Sequence, residues 1–382
     1  MGSRRKKSIG IIGSGIGGVA TAVALHQIGF DVSIYDREER LCEAGAGMML
    51  WPNATRVLRG LGVLEKVLSR SGRNTHFLVR TSSGRTLMTI ALGKFDVPAV
   101  CMRRADLLSI LLSAFPEDRL HLGCELRRLR EENDKVLVFL NRDRVAEHDA
   151  VIGADGIRSK VRTELFGFSD PIYRGYTIWR GLARYEGDAL PPGCNSESWG
   201  KGMRFGILNT GHRRFTWYAT ANRPANHPDS ASRRKCELQQ LFNGWHEPIA
   251  DFLESMDENE ILKNGARDCA PLRRWGKGAV TLLGDAAHPC TPNLGQGGCM
   301  ALEDAVVLAK CLGSGLPLRT ALRQYEALRR HRTRHIQQRS LLMGYIGQWR
   351  APLFVNGRNI VTRMLPARLI ERNLRRVYSY AA

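Results

Sequence analysis

No run in this 382-residue chain approaches the ~18 consecutive apolar residues that a membrane-spanning helix needs. Cysteine is present nine times, an odd number without a single C-x-x-C pair. That argues against a disulfide framework and for reduced thiols, hence for a cytoplasmic setting. The basic start, Ser3-Arg4-Arg5-Lys6-Lys7, leads straight into an apolar strand-like run and lacks the apolar core and cleavage site of a secretory leader. Repeats, low-complexity linkers, zinc-ligand spacings and helix-turn-helix or RNA-binding signatures are missing too. Nucleic acid is therefore not expected as a partner, although the net charge is +20. Acid is scarcest at the far end, where residues 319–382 hold 14 Arg and no Lys against 2 Glu, a net +12. The length allows a large core and about two domains.

What is present begins with glycine. Ser8 to Ile12 has strand character and Val19 to Gln27 has helical composition, with Gly13-Ser14-Gly15-Ile16-Gly17-Gly18 between them. Gly13 permits a tight turn, Gly15 lets a pyrophosphate approach the backbone, and Gly18 lets helix and strand pack closely. The helix start then offers free N–H groups and a positive dipole end to an anion. A second strand, Phe30 to Tyr35, ends at Asp36, 18 residues after Gly18, where a carboxylate can bind a ribose diol. Asp36 and Arg37 are thus the ribose-end candidates. This motif alone suits any dinucleotide that carries adenosine diphosphate.

Two later motifs narrow the choice. Ala150 to Gly153 is an apolar strand breaking at Ala154-Asp155-Gly156, followed by Arg158 and Ser159. Ala279 to Leu283 is another, ending in Gly284-Asp285, then His288, Pro292 and a helix opening at Gly295-Gln296-Gly297-Gly298-Cys299. In this order the motifs resemble the single-component FAD-dependent aromatic hydroxylases, the para-hydroxybenzoate hydroxylase group. Their wording is similar to that of zeaxanthin epoxidases and FAD-dependent urate hydroxylases.

The resemblance runs from Gly10 to about Gly313. It implies an α/β fold: a Rossmann-like FAD-binding domain, an inserted mostly-β substrate domain and C-terminal helices. It implies FAD as cofactor and NADPH or NADH with O2 as cosubstrates, the oxygen passing through a flavin C4a-hydroperoxide. Asp285 would bind the ribityl or pyrophosphate end, and backbone N–H groups from Gly295 to Cys299 would face the flavin N1–C2=O edge. Pro292 would line the ring. Arg104 would reach the phosphates, Leu126 would pass its backbone by the adenine, and Asp155 with Arg158 would lie near the pyrophosphate and the nicotinamide path. Asp155 also suits a helix cap near Ser159, and His288 reads as a satisfied structural residue. Relatives commonly carry Glu where this chain has Asp36, and an Arg where it has Cys42, ahead of Gly45-Ala46-Gly47; Arg40 is the nearby substitute.

The expected division is 1–75, 97–167 and 275–330 for FAD, 76–96 and 168–274 for a substrate-binding sheet, and 331–382 as a basic helical segment. Runs such as Tyr176–Arg180, Met203–Leu208 and Arg214–Thr220 alternate and are rich in aromatic and β-branched residues. Arg180, Phe205, Trp217 and Tyr218 are pocket candidates, Arg180 and Tyr218 with Pro292 being the catalytic set. Period-2 alternation puts Trp217 and Tyr218 on opposite faces. No base for a phenolic substrate stands out, which leans toward an activated heteroaromatic ring or an alkene, and the substrate is expected to be an aromatic or isoprenoid small molecule. In the basic end, Ile360, Met364, Leu365, Leu369, Ile370, Leu374 and Val377 recur at helical spacing. Packing on the FAD domain with a solvated basic face is the first reading, and contact with an anionic membrane surface the second. A flavin reductase without oxygen insertion, of the isoprenoid type, would use the same glycines. A basic membrane-surface or nucleic-acid-binding protein is the distant alternative.

Overall fold

The computed structural model describes residues 6–41 and 46–380; Cys42 and Gly45, where the departure from the relatives was noted, lie outside them. At its centre is a six-stranded sheet. Its order is Gly276–Lys277, Val280–Leu282, Ala150–Gly153, Ser8–Ile12, Asp31–Tyr35 and Leu120–His121. All neighbours are parallel except at the Gly276–Lys277 edge. Parallel strands are covered on both faces, so they read as unbroken apolar runs rather than alternating ones. The helix Ile16–Gln27 is buried almost all round, from Val19 to Leu25, because it is wedged between this sheet and the helix Gly297–Gly313. The strand ends carrying Gly13, Asp36, Asp155 and Asp285 thereby collect at one edge, the carboxyl ends of the strands, where open α/β sheets bind their ligands.

A seven-stranded sheet stands beside it, in the order Leu262–Asp268, Ile172–Arg184, Arg214–Asn222, Met203–Gly211, Cys194–Trp199, His76–Thr81 and Thr86–Ala91. The early hairpin joins it through a parallel pairing of His76–Thr81 with Cys194–Trp199. The register lines up Glu197, Gly206, Tyr218 and Arg180 as one cross-strand row. Residues of one row share a face, and this face meets the dinucleotide-binding part. Phe205 and Trp217 point the other way. They stack at 6.0 Å in a separate core under the helices Arg234–Leu241 and Ile249–Ser255. That corrects their candidacy as pocket residues: alternation sends them to the outer core.

From Leu318 to Tyr378 the chain runs as the helices Leu318–Gly347, Pro352–Met364 and Ala367–Tyr378. The apolar spacing from Ile360 to Val377 suggested one helix, but Leu365 is extended before Pro366 and ends it. Packing holds for the second half: Leu374 and Val377 touch the main core, and Tyr378 stacks on Trp51 at 4.6 Å. It fails for the first half, where Ile360 and Met364 are exposed. Nor is the basic face wholly solvated, since Arg329 and Arg358 are buried.

Candidate active site

The glycines of the first motif separate by what surrounds them. Gly13 has φ +110°, and a Cβ there would lie 2.5 Å from the Ala154 carbonyl. A Cβ on Gly18 would sit 2.0 Å from the Gly13 oxygen. Both are structural necessities of the turn. Gly15 is different: its backbone is ordinary, and the one atom within 4 Å of an added Cβ is Arg104 Nη2 at 4.0 Å. The glycine keeps that space clear, at a helix N-terminus with no side-chain cap, beside a guanidinium. Such a space can hold a pyrophosphate.

Asp36 follows the strand Asp31–Tyr35. Its Oδ2 accepts from the Ser14 amide and hydroxyl, each at 2.6 Å, and Oδ1 from the Glu38 amide at 3.0 Å. The carboxylate is fixed in direction while remaining open on one side. Arg37 pairs with Glu38 at the surface, so it is a screening charge rather than a clamp. Leu126 is a buried core side chain and offers a ligand only its backbone.

Asp155 caps the helix Lys160–Phe166. It accepts from Ser159 Oγ at 2.5 Å and from the Lys160 and Val161 amides at 2.7 and 3.0 Å. Burial pushes its carboxyl up and these bonds pull it back. The capping alternative is what the geometry displays, and Arg158 beside it is exposed.

Asp285 opens to solvent in a groove whose walls still strip away much of its water, which pushes its carboxyl up against the pull of His288 and Arg104. Its Oδ1 lies 3.8 Å from where a Gly297 Cβ would stand, beside the start of the helix Gly297–Gly313. Arg104 also faces Arg180, and burial together with that like charge pulls the Arg180 guanidinium down. Arg180 donates to Asn264 Oδ1 at 2.9 Å. Of the catalytic set, Arg180 and Tyr218 are cross-strand partners, with Arg104 near enough to Arg180 to repel it, while Pro292 starts the short helix Pro292–Leu294 on a separate element.

The helix Gly297–Gly313 begins with Gly295 at φ +59° and Gln296 without a side-chain cap, leaving the amides of Gly297, Gly298 and Cys299 free. The Cys299 thiol points inward, donates weakly to the Met49 and Gly295 carbonyls, and is pushed up to about 12 by burial; only its backbone can serve a cofactor. His288 Nε2 bonds Asp304 Oδ2 at 2.5 Å in a fully buried cluster, the structural role expected of it.

Sequence reading missed a polar group on the row that faces the cofactor groove. Glu197 is 3.1 Å from Arg204 Nη1, and burial together with its carboxylate pushes the Tyr218 hydroxyl up. Arg204 also reaches Asn293 Oδ1 at 2.5 Å, and Asn293 hydrogen-bonds Tyr176. Arg204 and Gly206 alternate with Phe205 and Ile207, so the period-2 pattern that placed Trp217 could have placed Arg204. Gly206 is needed here, because a Cβ would meet the Tyr218 ring at 2.2 Å.

A family profile described as FAD binding domain covers residues 6–340. Aurachin C monooxygenase/isomerase of Stigmatella aurantiaca is 36% identical over 96% of this chain and 96% of its own length. Zeaxanthin epoxidase of Solanum lycopersicum is 34% identical over 86% of this chain, which spans only 53% of that protein. The crystal structure of Klebsiella pneumoniae HpxO complexed with FAD and uric acid superposes with a TM-score of 0.92 at 28% identity, covering 98% of this chain and 97% of that one. The open space at Gly15, the two uncapped helix starts and the charge of Arg104 within electrostatic reach of Asp285 fit FAD, and the chain belongs to the FAD-dependent monooxygenases of the aromatic-hydroxylase and epoxidase type.

Proposed function

We propose that this enzyme takes reducing equivalents from NADPH or NADH and inserts one atom of O2 into a small aromatic, heteroaromatic or polyene molecule. The substrate would lie against the row formed by Glu197, Gly206 and Tyr218. The observation that carries this is the convergence of Tyr218, Arg204 and Asn293 beside Pro292. Bound FAD supplies the hydride acceptance and the oxygen chemistry. The protein's part is to hold, orient and shield.

In this reading Gly13–Gly18, Asp36 and Arg104 bind the adenosine and pyrophosphate. The free amides of Gly297–Cys299 present a positive helix end to the flavin ring, which favours the anionic reduced form. Tyr218 stays protonated, because burial and the Glu197 carboxylate push its hydroxyl far up. A protonated Tyr218 can donate a hydrogen bond but is not a phenolate base. Arg204 neutralises Glu197, so a ring N–H or hydroxyl entering the pocket meets a charged acceptor already in place.

Asn293, bonded to Arg204, also borders a cavity that the row itself does not line. This cavity of about 300 Å³ opens between Ile172–Arg184, Pro292–Leu294 and the end of Leu318–Gly347, with Arg174, Tyr176 and Asn293 at one side and Leu341, Tyr345 and Trp349 at the other. One polar and one apolar side suit a polar ring with an apolar extension.

Two measurements test the proposal. With 18O2, the product is expected to gain one labelled oxygen; an unlabelled or saturated product would instead make the enzyme a flavin reductase. Tyr218→Phe is expected to lower product formation about 10-fold, the worth of one buried hydrogen bond. FAD content and the rate of reduction by NADPH should stay unchanged. Unaltered turnover in this variant would remove the row from the substrate site.

A further inference from the structure

The helix Pro352–Met364 is built inside out. Its buried positions are Val355, Arg358 and Thr362, so two of the three inward side chains are polar. Arg358 pins the helix, donating to the carbonyls of Gly347 at 3.0 Å and Gly200 at 3.1 Å with its guanidinium 5.0 Å from the Trp199 ring. Leu353, Phe354, Ile360, Val361 and Met364 form an apolar arc turned away from the buried side: at 100° per residue Leu353, Ile360 and Met364 lie opposite it, with Phe354 and Val361 on its flank. In sequence order the five are 80%, 57%, 58%, 61% and 74% exposed. A soluble surface helix buries its apolar stripe and wets its polar one; this helix does the reverse.

The apolar surface continues past the helix. The Trp349 ring lies 5.5 Å from Phe354, and Tyr345 and Leu342, on the same side of the preceding helix, are both more than half exposed. Contiguous patches of this kind mark interaction surfaces. Around it stand Arg350, Arg363 and Arg368, exposed and without an ion pair among the described residues. Against a second copy of the chain, a two-fold contact would set these arginines against their own kind. Against an anionic lipid surface the same arginines are complementary, and Trp349 and Tyr345 belong at the headgroup level. No described helix is long and apolar enough to cross a membrane.

We infer that this face docks on an anionic lipid bilayer, lying in its surface. Tyr345 and Trp349 also line the cavity that reaches Asn293. Docking would therefore turn the mouth of that cavity toward the lipid and admit an apolar substrate dissolved there. The route rests on the proposed function; the docking does not.

Sedimentation of the FAD-loaded protein with phosphatidylcholine vesicles carrying roughly a third phosphatidylserine tests the docking at near-physiological salt. The wild type is expected to sediment with them and to bind pure phosphatidylcholine far more weakly. Leu353→Ser, Phe354→Ser and Met364→Ser together leave the charge unchanged and should weaken binding by at least about a hundredfold. Arg350→Gln, Arg363→Gln and Arg368→Gln together should cost about a hundredfold, on the anionic vesicles only. FAD content and melting temperature show that each variant is folded. If the serine variant binds as tightly as wild type, the attraction is general basicity and the docking face is wrong. A wild type left in the supernatant overturns it too, as does a dimer that the serine variant dissolves in place of vesicle binding. None of these readings needs a substrate, so failure here leaves the monooxygenase proposal standing.

Discussion

Gly15→Val yields a folded protein without flavin. At this position φ is −68° and ψ 174°, a conformation open to any residue. A Cβ would meet no neighbour closer than the Arg104 guanidinium at 4.0 Å. The valine is therefore accommodated by the chain and collides only with what the chain is built to hold. Its γ-carbons enter the space between the uncapped helix start and Arg104, where the pyrophosphate must lie. FAD affinity should fall by on the order of a hundredfold or more, equivalent to about 3 kcal/mol. The check is the flavin absorbance per chain after purification, together with circular dichroism for the fold. Gly18→Ala is the contrasting substitution. Its methyl would sit 2.0 Å from the Gly13 oxygen, so this variant loses flavin by losing the turn, with a lowered melting temperature. A yellow Gly15→Val protein at wild-type stoichiometry would show that the pyrophosphate does not cross Gly15.

The cofactor half of the molecule was legible because its requirements are local. A glycine that cannot carry a Cβ, a carboxylate at a strand end and an apolar run of strand length each leave a mark within a few residues. The motif order then placed Gly13, Asp36 and Asp285 at the ends of neighbouring parallel strands. The substrate side was legible only in part. Alternation assigned Trp217 and Tyr218 to opposite faces, but nothing in one strand says which face meets the groove. That choice belongs to the pairing of Arg214–Asn222 with its neighbours and to the helices Arg234–Leu241 and Ile249–Ser255 covering one side. Glu197 and Arg204 were invisible as a pair because they meet across two strands.

Charge counting misled most at the basic end. Fourteen arginines after residue 318 read as a solvated face, yet two of them act as internal fasteners. Arg358 holds a helix whose apolar side is outward, and Arg329 is wholly enclosed. The signal for Arg329 was elsewhere, in Glu303-Asp304 set within the apolar helix Gly297–Gly313. Two adjacent carboxylates in such a stretch require cations from another element, since buried charge is tolerated only when paired. The helix Leu318–Gly347 supplies them.

Arg329→Met should therefore be the most destabilising single substitution in the C-terminal helices. Arg329 Nε lies 2.6 Å from Asp304 and Nη2 2.7 Å from Glu303, all three fully buried; Arg332 adds a bond to Glu303 at 2.6 Å. Removing one partner leaves a carboxylate uncompensated in the interior, at a cost of about 3–5 kcal/mol. The loss should extend to the proposed FAD site, because the same carboxylates brace its edges. Asp304 accepts the Gly284 amide at 3.0 Å, fixing the turn that carries Asp285. Glu303 accepts from Asn53, which also bonds Gln296 at 3.0 Å at the start of the helix Gly297–Gly313. FAD binding should weaken along with the fold, seen as a smaller rise in melting temperature on adding FAD. The pH dependence gives an independent sign. His288 and Arg329 hold the Asp304 carboxyl down at about 2 despite its burial, against about 3.9 when unfolded. The ionised carboxylate thus contributes stability that is present above about pH 4 and lost as the pH falls toward 2. Without Arg329 the folded-state value rises, so this contribution shrinks or reverses. Denaturant unfolding should then show wild-type stability falling through that acid window and the variant's falling less. A variant as stable as wild type at neutral pH, with the same acid slope, would mean that Arg332 and His288 alone satisfy both carboxylates.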